Sequence, residues 1–308
     1  MKNFINISDH SSNDLRAIID DAKSRKLKRK GFNKSAPDED KPFDGKSLAM
    51  IFEKPSTRTR MSFDIAVKQL GGSSIILNPD GIHYGKGDES LKDTAKVLTE
   101  YVDIVMLRTS SHKNLEEFGQ YLEIPIINGL SNSGHPCQIM SDILTYEESN
   151  GSINGKTISW IGDGNNNMSN SLIEAAAKFD FNLKIGCPKK YEPGKKILSW
   201  AKKNKVNLTI TKKPEDAIKD SDCVMTDKWV SMNDKVNKKA KKKILKPYQV
   251  NKKLMKKAKS DAIFMHCLPV GRGEEVTDEV IDGKQSVVWR QALNRVHAQK
   301  SIIKWCLD

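Results

Sequence analysis

Residues 47–77 read SLAMIFEKPSTRTRMSFDIAVKQLGGSSIIL, an apolar run, an amphipathic segment and a second apolar run. The short runs Ser47–Phe52 and Ser74–Leu77 are typical of buried strands, and apolar side chains recur at helical spacing over Met61–Leu70. Two strands connected by a helix usually lie parallel in one sheet, because the helix carries the chain back across its face. This segment therefore predicts one unit of a parallel α/β fold.

The same alternation continues towards the C-terminus. The other predicted strands are 104–107, 125–127, 157–161, 183–185, 208–210, 223–225 and 262–265. The other predicted helices are 92–101, 115–121, 139–148, 171–179, 196–203 and 291–307. The length favours a division of these strands between two sheets, and the polar segment 148–155 is the best boundary.

We therefore predict an α/β fold with two doubly wound parallel-sheet domains joined by interdomain helices. The predicted domains are residues 1–147 and residues 148–290. Residues 291–308 are predicted to form a C-terminal helix that packs back on the first domain.

The composition is that of a globular protein, with 37% hydrophobic and 30% charged residues. No run approaches the ~20 apolar residues of a membrane helix, and the N-terminus lacks the apolar run of a secretory signal. The five cysteines are an odd number without a CxxC pair, which argues against a disulfide framework and a zinc ribbon. We expect a cytoplasmic protein with no membrane partner.

The net charge of +13 raises the question of nucleic-acid binding, because many lysines lie between residues 235 and 259. Such a run can bind a phosphate backbone through counterion release. However, Tyr248 is the only aromatic residue within it, and no nucleic-acid-binding motif accompanies it. A solvated surface is the favoured interpretation, and we expect no specific nucleic-acid partner.

Arginine is scarce, since only nine of the 52 basic residues are arginine. In a chain that uses lysine for general surface charge, an arginine near a strand end points to a bidentate contact with phosphate or carboxylate. Arg58, Arg108 and Arg295 are placed in this way. Arg16, Arg25 and Arg29 lie in a polar N-terminal segment, and we expect them at the surface.

An anion site is predicted directly after the first strand. Three hydroxyl residues and two arginines occur within the five residues 56–60, at the start of a predicted helix. Unpaired backbone N–H groups, the helix dipole and a guanidinium together favour an anion there. A simple helix N-cap is the alternative, but one serine or threonine would suffice for that purpose. The pattern favours phosphate binding.

Polar residues also follow the other predicted strands, where ligands bind in open α/β sheets. They are Arg108, His135 with Gln138, Asn165–Asn167, Asp227 and Cys267. Each has a structural alternative: a capping histidine or asparagine, a solvated aspartate or a buried cysteine.

Sites for ATP, NAD and metals are not predicted. The segment Gly151–Thr157 has one residue too few between its glycines for a Walker A loop, and it precedes a strand. Gly162-Asp163-Gly164 lacks the third glycine of a dinucleotide fingerprint. His266 and Cys267 are adjacent, without the further ligands that would complete a metal site.

Four motifs occur in one order along the chain, FEKPSTRTR (52–60), HPCQ (135–138), TDKWVSM (226–232) and HCLP (266–269). Together they resemble the carbamoyltransferases, and HCLP with the Asp-x-x-x-Ser-Met segment resembles the ornithine-using branch of that family. The resemblance covers nearly the whole chain and includes Asp93-Thr94 and Asn294-Arg295.

The resemblance implies a carbamoyltransferase that transfers the carbamoyl group of carbamoyl phosphate to ornithine, most often in arginine biosynthesis, with no metal or organic cofactor. The implied carbamoyl phosphate-binding residues are Ser56, Thr57, Arg58, Thr59, Arg108, His135, Pro136, Cys137, Gln138, Cys267, Leu268 and Arg295. The implied ornithine-binding residues are Asn167, Asp227, Ser231 and Met232. The implied catalytic residues are Arg108, His135, Asp227, Cys267 and Arg295. The resemblance also implies a homotrimer in which a neighbouring subunit contributes a loop near His83.

Overall fold

A computed structural model describes residues 2–77, 89–230 and 237–308. The chain divides into two compact units, one formed by Met1–Leu144 with Leu293–Asp308 and the other by Thr145–Ala292. Residues 293–308, in the predicted C-terminal helix, thus belong to the first unit. Within the described residues, no helix combines the length and apolar character needed to cross a bilayer.

The first unit is built around a four-stranded parallel sheet in the order β2-β1-β3-β4. Its strands are β1 (Ser47–Phe52), β2 (Ser73–Leu77), β3 (Ile104–Arg108) and β4 (Ile126–Leu130). Its helices are α1 (Ser12–Lys28), α2 (Thr57–Gln69), α3 (Leu91–Tyr101), α4 (His112–Tyr121), and most of α5 (Pro136–Asn150). Ala49 and Ile51 of β1 are fully buried against residues of α3 and α4, such as Leu98 and Phe118.

The second unit contains a five-stranded parallel sheet in the order β7-β6-β5-β8-β9. Its strands are β5 (Thr157–Ile161), β6 (Asn182–Gly186), β7 (Leu208–Thr211), β8 (Cys223–Thr226) and β9 (Ile263–His266). Its helices are α6 (Asn167–Phe179), α7 (Lys195–Lys203), α8 (Pro214–Ile218), α9 (Lys238–Leu245), α10 (Lys252–Met255) and α11 (Asp278–Ile281). The last helix, α12 (Val288–Leu307), begins in this unit and ends in the first. The predicted fold class, with two parallel α/β sheets, is confirmed.

The predicted helices begin one to four residues earlier in the structure than the apolar spacing indicates, and α2 shows the reason. The apolar spacing predicts a start at Met61, whereas α2 begins at Thr57 with Ser56 as its N-cap. The first turn therefore contains the Thr-Arg-Thr-Arg segment, which carries no apolar residue for a periodicity argument to detect. The predicted anion-binding residues thus lie on the helix itself as well as in the loop before it.

The expectation that Arg25 lies at the surface is wrong. Arg25 is on α1 and only 7% exposed, and its guanidinium forms ion pairs with Asp21, Asp38 and Asp40. Lys300 of α12 is also buried, with its ammonium 2.6 Å from Asp38. A polar local sequence did not reveal this burial, because it depends on the packing of α1 against the loop that carries Asp38 and Asp40 and on Lys300 from the far end of the chain.

Candidate active site

Each sheet has a topological switch point, where ligands bind in folds of this class. In the first sheet the chain goes from β1 to β2 on one side and later returns to β3 on the other. Phe52 at the end of β1 is paired with Arg108 at the end of β3. The loop to α2 therefore starts beside the Arg108 side chain.

The first turn of α2 has the properties of an anion site. Ser56 is the N-cap, and its hydroxyl accepts a hydrogen bond from the Thr59 backbone N–H at 3.4 Å. The first turn contains no acidic residue. Since the first backbone N–H groups of a helix have no acceptor within it, Thr57 and Arg58 present theirs to a ligand.

Thr59 links three segments of the first unit through its side chain. Its Oγ1 accepts hydrogen bonds from Arg108 Nη1 at 3.1 Å and from Arg295 Nη2 at 2.8 Å. Arg295 Nη1 also donates to Gln138 Oε1 at 2.5 Å. Thr59 is 1% exposed and Arg295 4% exposed, so the Arg295 guanidinium is held in place away from bulk water, whereas Arg108 is partly exposed. With both oxygen lone pairs engaged, the Thr59 hydroxyl hydrogen can be donated to a third atom.

His135 is an uncharged hydrogen-bonding group in this cluster. Burial lowers the pKa of its imidazole well below the ordinary value, and the charges of Arg295, Arg108 and Arg58 lower it further. Its ring therefore stays neutral at neutral pH, with one nitrogen able to donate and the other able to accept. Such a ring can hold a carbonyl or amide without adding a charge.

The other residues of the HPCQ motif have distinct roles in the structure. Pro136 is the first residue of α5, a position where its missing N–H costs nothing. The Cys137 thiol is buried and donates to the Asn128 carbonyl at 3.4 Å, and burial raises its pKa to about 12. Gln138 is held on both sides of its amide, because Nε2 donates to Asp142 Oδ1 at 2.8 Å while Oε1 accepts from Arg295. Cys137 is thus a packed thiol and Gln138 an oriented amide.

Two predicted residues of the second unit contact each other. Asp227 follows β8 and Cys267 follows β9, and these strands pair in register with Thr226 opposite His266. The Cys267 thiol donates to Asp227 Oδ1 at 3.1 Å. The following residue, Leu268, has a φ of 60° and precedes a cis peptide bond to Pro269. A carboxylate and a thiol are therefore placed together at the carboxyl edge of this sheet.

Asn167 lies at the same edge, after β5. It is the first residue of α6, follows the N-cap Asn166, and is partly exposed. Because β5 and β8 are neighbours at the switch point of the second sheet, Asn167 and Asp227 follow adjacent strands. Ser231 and Met232 lie outside the described residues, as does His83 of the first unit.

Asp227, His266 and Cys267 bring three potential metal-ligand atoms within 4.8 Å of one another. However, His266 Nδ1 accepts a hydrogen bond from the Leu268 backbone N–H at 2.9 Å, and Nε2 lies 3.2 Å from Glu275 Oε1. Since a backbone N–H can only donate, the hydrogen of the neutral ring is on Nε2, facing the carboxylate. Both ring nitrogens are engaged inside the protein, which argues against metal binding by His266.

Sequence reasoning missed two buried charges of the second unit, Asp163 and Lys241. Their side chains are both 6% exposed and form an ion pair of 2.6 Å. The prediction of a solvated lysine-rich surface is wrong for Lys241. The available signal is weak: Lys241 and Leu245 are four residues apart and are the buried residues of α9.

Two family models match this chain. The model of the aspartate/ornithine carbamoyltransferase carbamoyl-P binding domain matches residues 2–148, and that of the Asp/Orn binding domain matches residues 154–306. The chain belongs to the aspartate/ornithine carbamoyltransferase family. This membership identifies it as a carbamoyltransferase and confirms the resemblance in the four motifs.

Members of this family resemble the chain over its full length. An ornithine carbamoyltransferase of Brucella suis is 51% identical, covering 100% of this chain and 96% of its own. An ornithine carbamoyltransferase from Mesorhizobium japonicum is 50% identical, and the match covers 100% of this chain and 99% of the relative. Among solved structures, the ornithine carbamoyltransferase of Pyrococcus furiosus has a TM-score of 0.91 at 41% identity. The match covers 98% of this chain and 96% of that structure's chain. The anabolic ornithine carbamoyltransferase of Campylobacter jejuni has a TM-score of 0.90 at 35% identity, with 99% of each chain covered.

Proposed function

We propose that this chain transfers the carbamoyl group of carbamoyl phosphate to the δ-amine of L-ornithine, giving L-citrulline and phosphate. The first unit binds carbamoyl phosphate and the second unit binds ornithine. The observation that carries this proposal is the attachment of Arg108 and Arg295 to the Thr59 hydroxyl, at the start of α2. Thr59 and Arg108 lie in the part of the chain that matches a carbamoyl-P binding domain. Similarity to ornithine carbamoyltransferases along the full chain supports ornithine as the acceptor.

In the proposed complex, the phosphate lies at the N-terminus of α2. The Ser56 and Thr57 hydroxyls and the backbone N–H groups of the first helical turn donate to its oxygens, and Arg58 adds a charge-assisted contact. The helix dipole favours the negative charge of the phosphate at this end. This placement also favours the leaving group, because phosphate gains negative charge as its bond to the carbamoyl carbon breaks.

The carbamoyl group lies beside the Thr59 cluster. Arg108, Arg295 and the Thr59 hydroxyl are available as donors to the carbonyl oxygen, and neutral His135 provides one further donor. Gln138, oriented by Asp142 and Arg295, is placed to bind the carbamoyl amide. These donors stabilise the oxyanion that forms during attack, and loss of one such donor typically costs about 3–4 kcal/mol.

Ornithine must lose a proton before it can attack. Its δ-amine resembles that of lysine, with a pKa of about 10.4, so it is protonated at neutral pH and has no free electron pair. Asp227 and Cys267 orient this nitrogen, and a positively charged site favours its neutral form. The amine then forms a bond to the carbamoyl carbon as the carbon–oxygen bond to phosphate breaks. The first proton passes to solvent before attack, and the departing phosphate can accept the second proton, which the nitrogen releases as its bond to carbon forms. Asn167, Ser231 and Met232 bind the amino-acid end.

Finer aspects of function belong to the same proposal. We place the reaction in arginine biosynthesis, and the likeness to an enzyme described as anabolic supports this direction. We also propose a cytoplasmic location: all five cysteines are within the described residues and none forms a disulfide, as is typical of reducing compartments.

A homotrimer is also proposed, with His83 completing the phosphate site of a neighbouring subunit. Apolar side chains support an interface on the first unit: Ile75 and Ile76 of β2 are 47% and 37% exposed, and Tyr101 of α3 is 75% exposed. β2 is an edge strand of its sheet. Light scattering coupled to size-exclusion chromatography should give three times the monomer mass of 34.6 kDa, and a monomer at micromolar concentration would contradict the proposal.

The direct test of the reaction is a colorimetric assay for ureido product. Purified protein receives carbamoyl phosphate with ornithine, and parallel reactions receive aspartate, putrescine or N-acetylornithine. We expect product with ornithine alone. Product with another amine alone would keep the carbamoyl phosphate site and overturn the ornithine assignments. An absence of product in all reactions with folded protein would overturn the proposed activity.

A further inference from the structure

Lys241 is a buried cation within the lysine-rich part of the chain. Its Nζ lies 2.6 Å from Asp163 Oδ2, and both side chains are 6% exposed. The ammonium also lies 5.3 Å from the centre of the Tyr191 ring, a distance suited to a cation–π contact. Removing two charges from water is costly, so such a pair contributes more to the placement of its neighbours than to stability.

Asp163 organises the loop that leads to Asn167. Its Oδ1 accepts from the Asn165 backbone N–H at 2.9 Å, and its carbonyl oxygen accepts from Asn166 Nδ2 at 2.9 Å. Asn166 in turn caps α6 by accepting from the Ser169 N–H at 2.9 Å. Asn167 is the next residue. The position of Asn167 therefore depends on Asp163, whose other carboxylate oxygen is held by Lys241.

Lys241 and Tyr191 also lie where both flanks of residues 231–236 are anchored. Tyr191 packs in one apolar cluster with Trp229 and Val230, which precede this segment, and with Leu245, which follows it. Lys241 is on the same helix as Leu245. Trp229, Val230 and Leu245 thus meet in one buried cluster with Tyr191, which Lys241 contacts.

We infer that Lys241 is a positioning residue that sets the affinity for the amino-acid acceptor. Through Asp163 it fixes the loop to Asn167, and through Tyr191 it contacts the apolar cluster that includes Trp229 and Val230, two and three residues after Asp227. The inference rests on the proposed function only in assigning these segments to the acceptor. The carbamoyl phosphate residues Thr59, Arg108 and Arg295 belong to the first unit, whereas Lys241, Asp163 and Tyr191 belong to the second.

The test compares steady-state constants of Lys241→Met, Lys241→Arg and the double variant Lys241→Met/Asp163→Asn with the wild type. The double variant removes both charges and so leaves no unpaired carboxylate in the interior. It is the variant to measure if Lys241→Met fails to fold. We expect KM for the acceptor to rise about tenfold in the two methionine variants, with KM for carbamoyl phosphate within about twofold. Lys241→Arg keeps the charge and should recover most of the affinity.

Lys259→Met is the matched control. Lys259 pairs with Asp222 at 2.7 Å, and Asp222 directly precedes β8, at the edge of the sheet opposite Asp227. This variant should leave both KM values unchanged. An unchanged acceptor KM in folded Lys241 variants, or an equal rise in both KM values, would overturn the inference. These measurements use whichever amine the wild-type protein carbamoylates. If that amine is not ornithine, the proposed substrate is refuted, but the comparison of Lys241 variants with the wild type still tests this inference.

Discussion

Thr59 Oγ1 accepts a hydrogen bond from Arg295 Nη2 at 2.8 Å, although 236 positions separate the two residues in sequence. Arg108 donates to the same oxygen at 3.1 Å. One hydroxyl on the first turn of α2 thereby fixes two guanidinium groups that come from β3 and α12. This oxygen is thus the acceptor that Arg108 and Arg295 share in the proposed carbamoyl site.

Replacement of Thr59 by valine should therefore impair catalysis. Valine keeps the shape but leaves the two arginines without this acceptor, so we expect kcat/KM for carbamoyl phosphate to fall about 100-fold or more. Thr59→Ser retains the hydroxyl and should retain most of the activity. Initial-rate kinetics with varied carbamoyl phosphate measures both effects. Equal activity of the valine and serine variants would show that the hydroxyl is not needed.

Asp227→Asn should affect the acceptor and spare carbamoyl phosphate. The substitution removes the negative charge that holds the incoming ammonium, and we expect kcat/KM for ornithine to fall about 100-fold. KM for carbamoyl phosphate should stay close to that of the wild type. Asp222→Asn, at the other end of the same strand, is the matched control and should keep the wild-type KM for ornithine. A fall of similar size in both variants would refute a specific role for Asp227.

Arg25→Met should lower the free energy of unfolding by about 2 kcal/mol, because it removes the charged hydrogen bonds to Asp21, Asp38 and Asp40 while Asp38 keeps Arg29 and Lys300. Arg16→Met, on the same helix but partly exposed, should change it by less than about 1 kcal/mol. Urea denaturation followed by circular dichroism measures both values. Equal stabilities of the two variants would mean that the buried network does not stabilise the fold.

His297 should make stability depend on pH. Burial and the charges of Lys300, Lys26 and Arg29 lower its pKa from 6.5 to about 3. Between these two values the unfolded chain takes up a proton that the folded chain does not. Stability should therefore fall as the pH drops below 6.5, by up to about 1.4 kcal/mol per pH unit from this residue.

His297→Gln should make the loss of stability with falling pH shallower. Above about pH 8 the stability difference between this variant and the wild type should not change with pH. Urea denaturation at several pH values provides the measurement. A variant whose stability falls with acid as steeply as that of the wild type would exclude His297 as a source. His135 contributes in the same direction, since its pKa is also lowered by burial.

Local sequence patterns were sufficient for the strands and for most of the helices. Apolar runs such as Ser47–Phe52 and Thr157–Ile161 have the same bounds in the structure as in the prediction. Periodicity could not locate the start of α2, because hydroxyl and arginine residues fill its first turn. It also gave no indication of α1 as a packed helix with a buried arginine.

The sequence by itself determined the two-sheet α/β class, the family and the chemical groups that follow each strand, because these depend on short-range periodicity and on motifs that are read directly. Tertiary structure alone decided which groups meet. Thr59 contacts Arg108 and Arg295, Cys267 contacts Asp227, and Lys241 contacts Asp163. Each pair joins residues from separate elements, and their contact depends on strand order and helix packing, which no local pattern encodes.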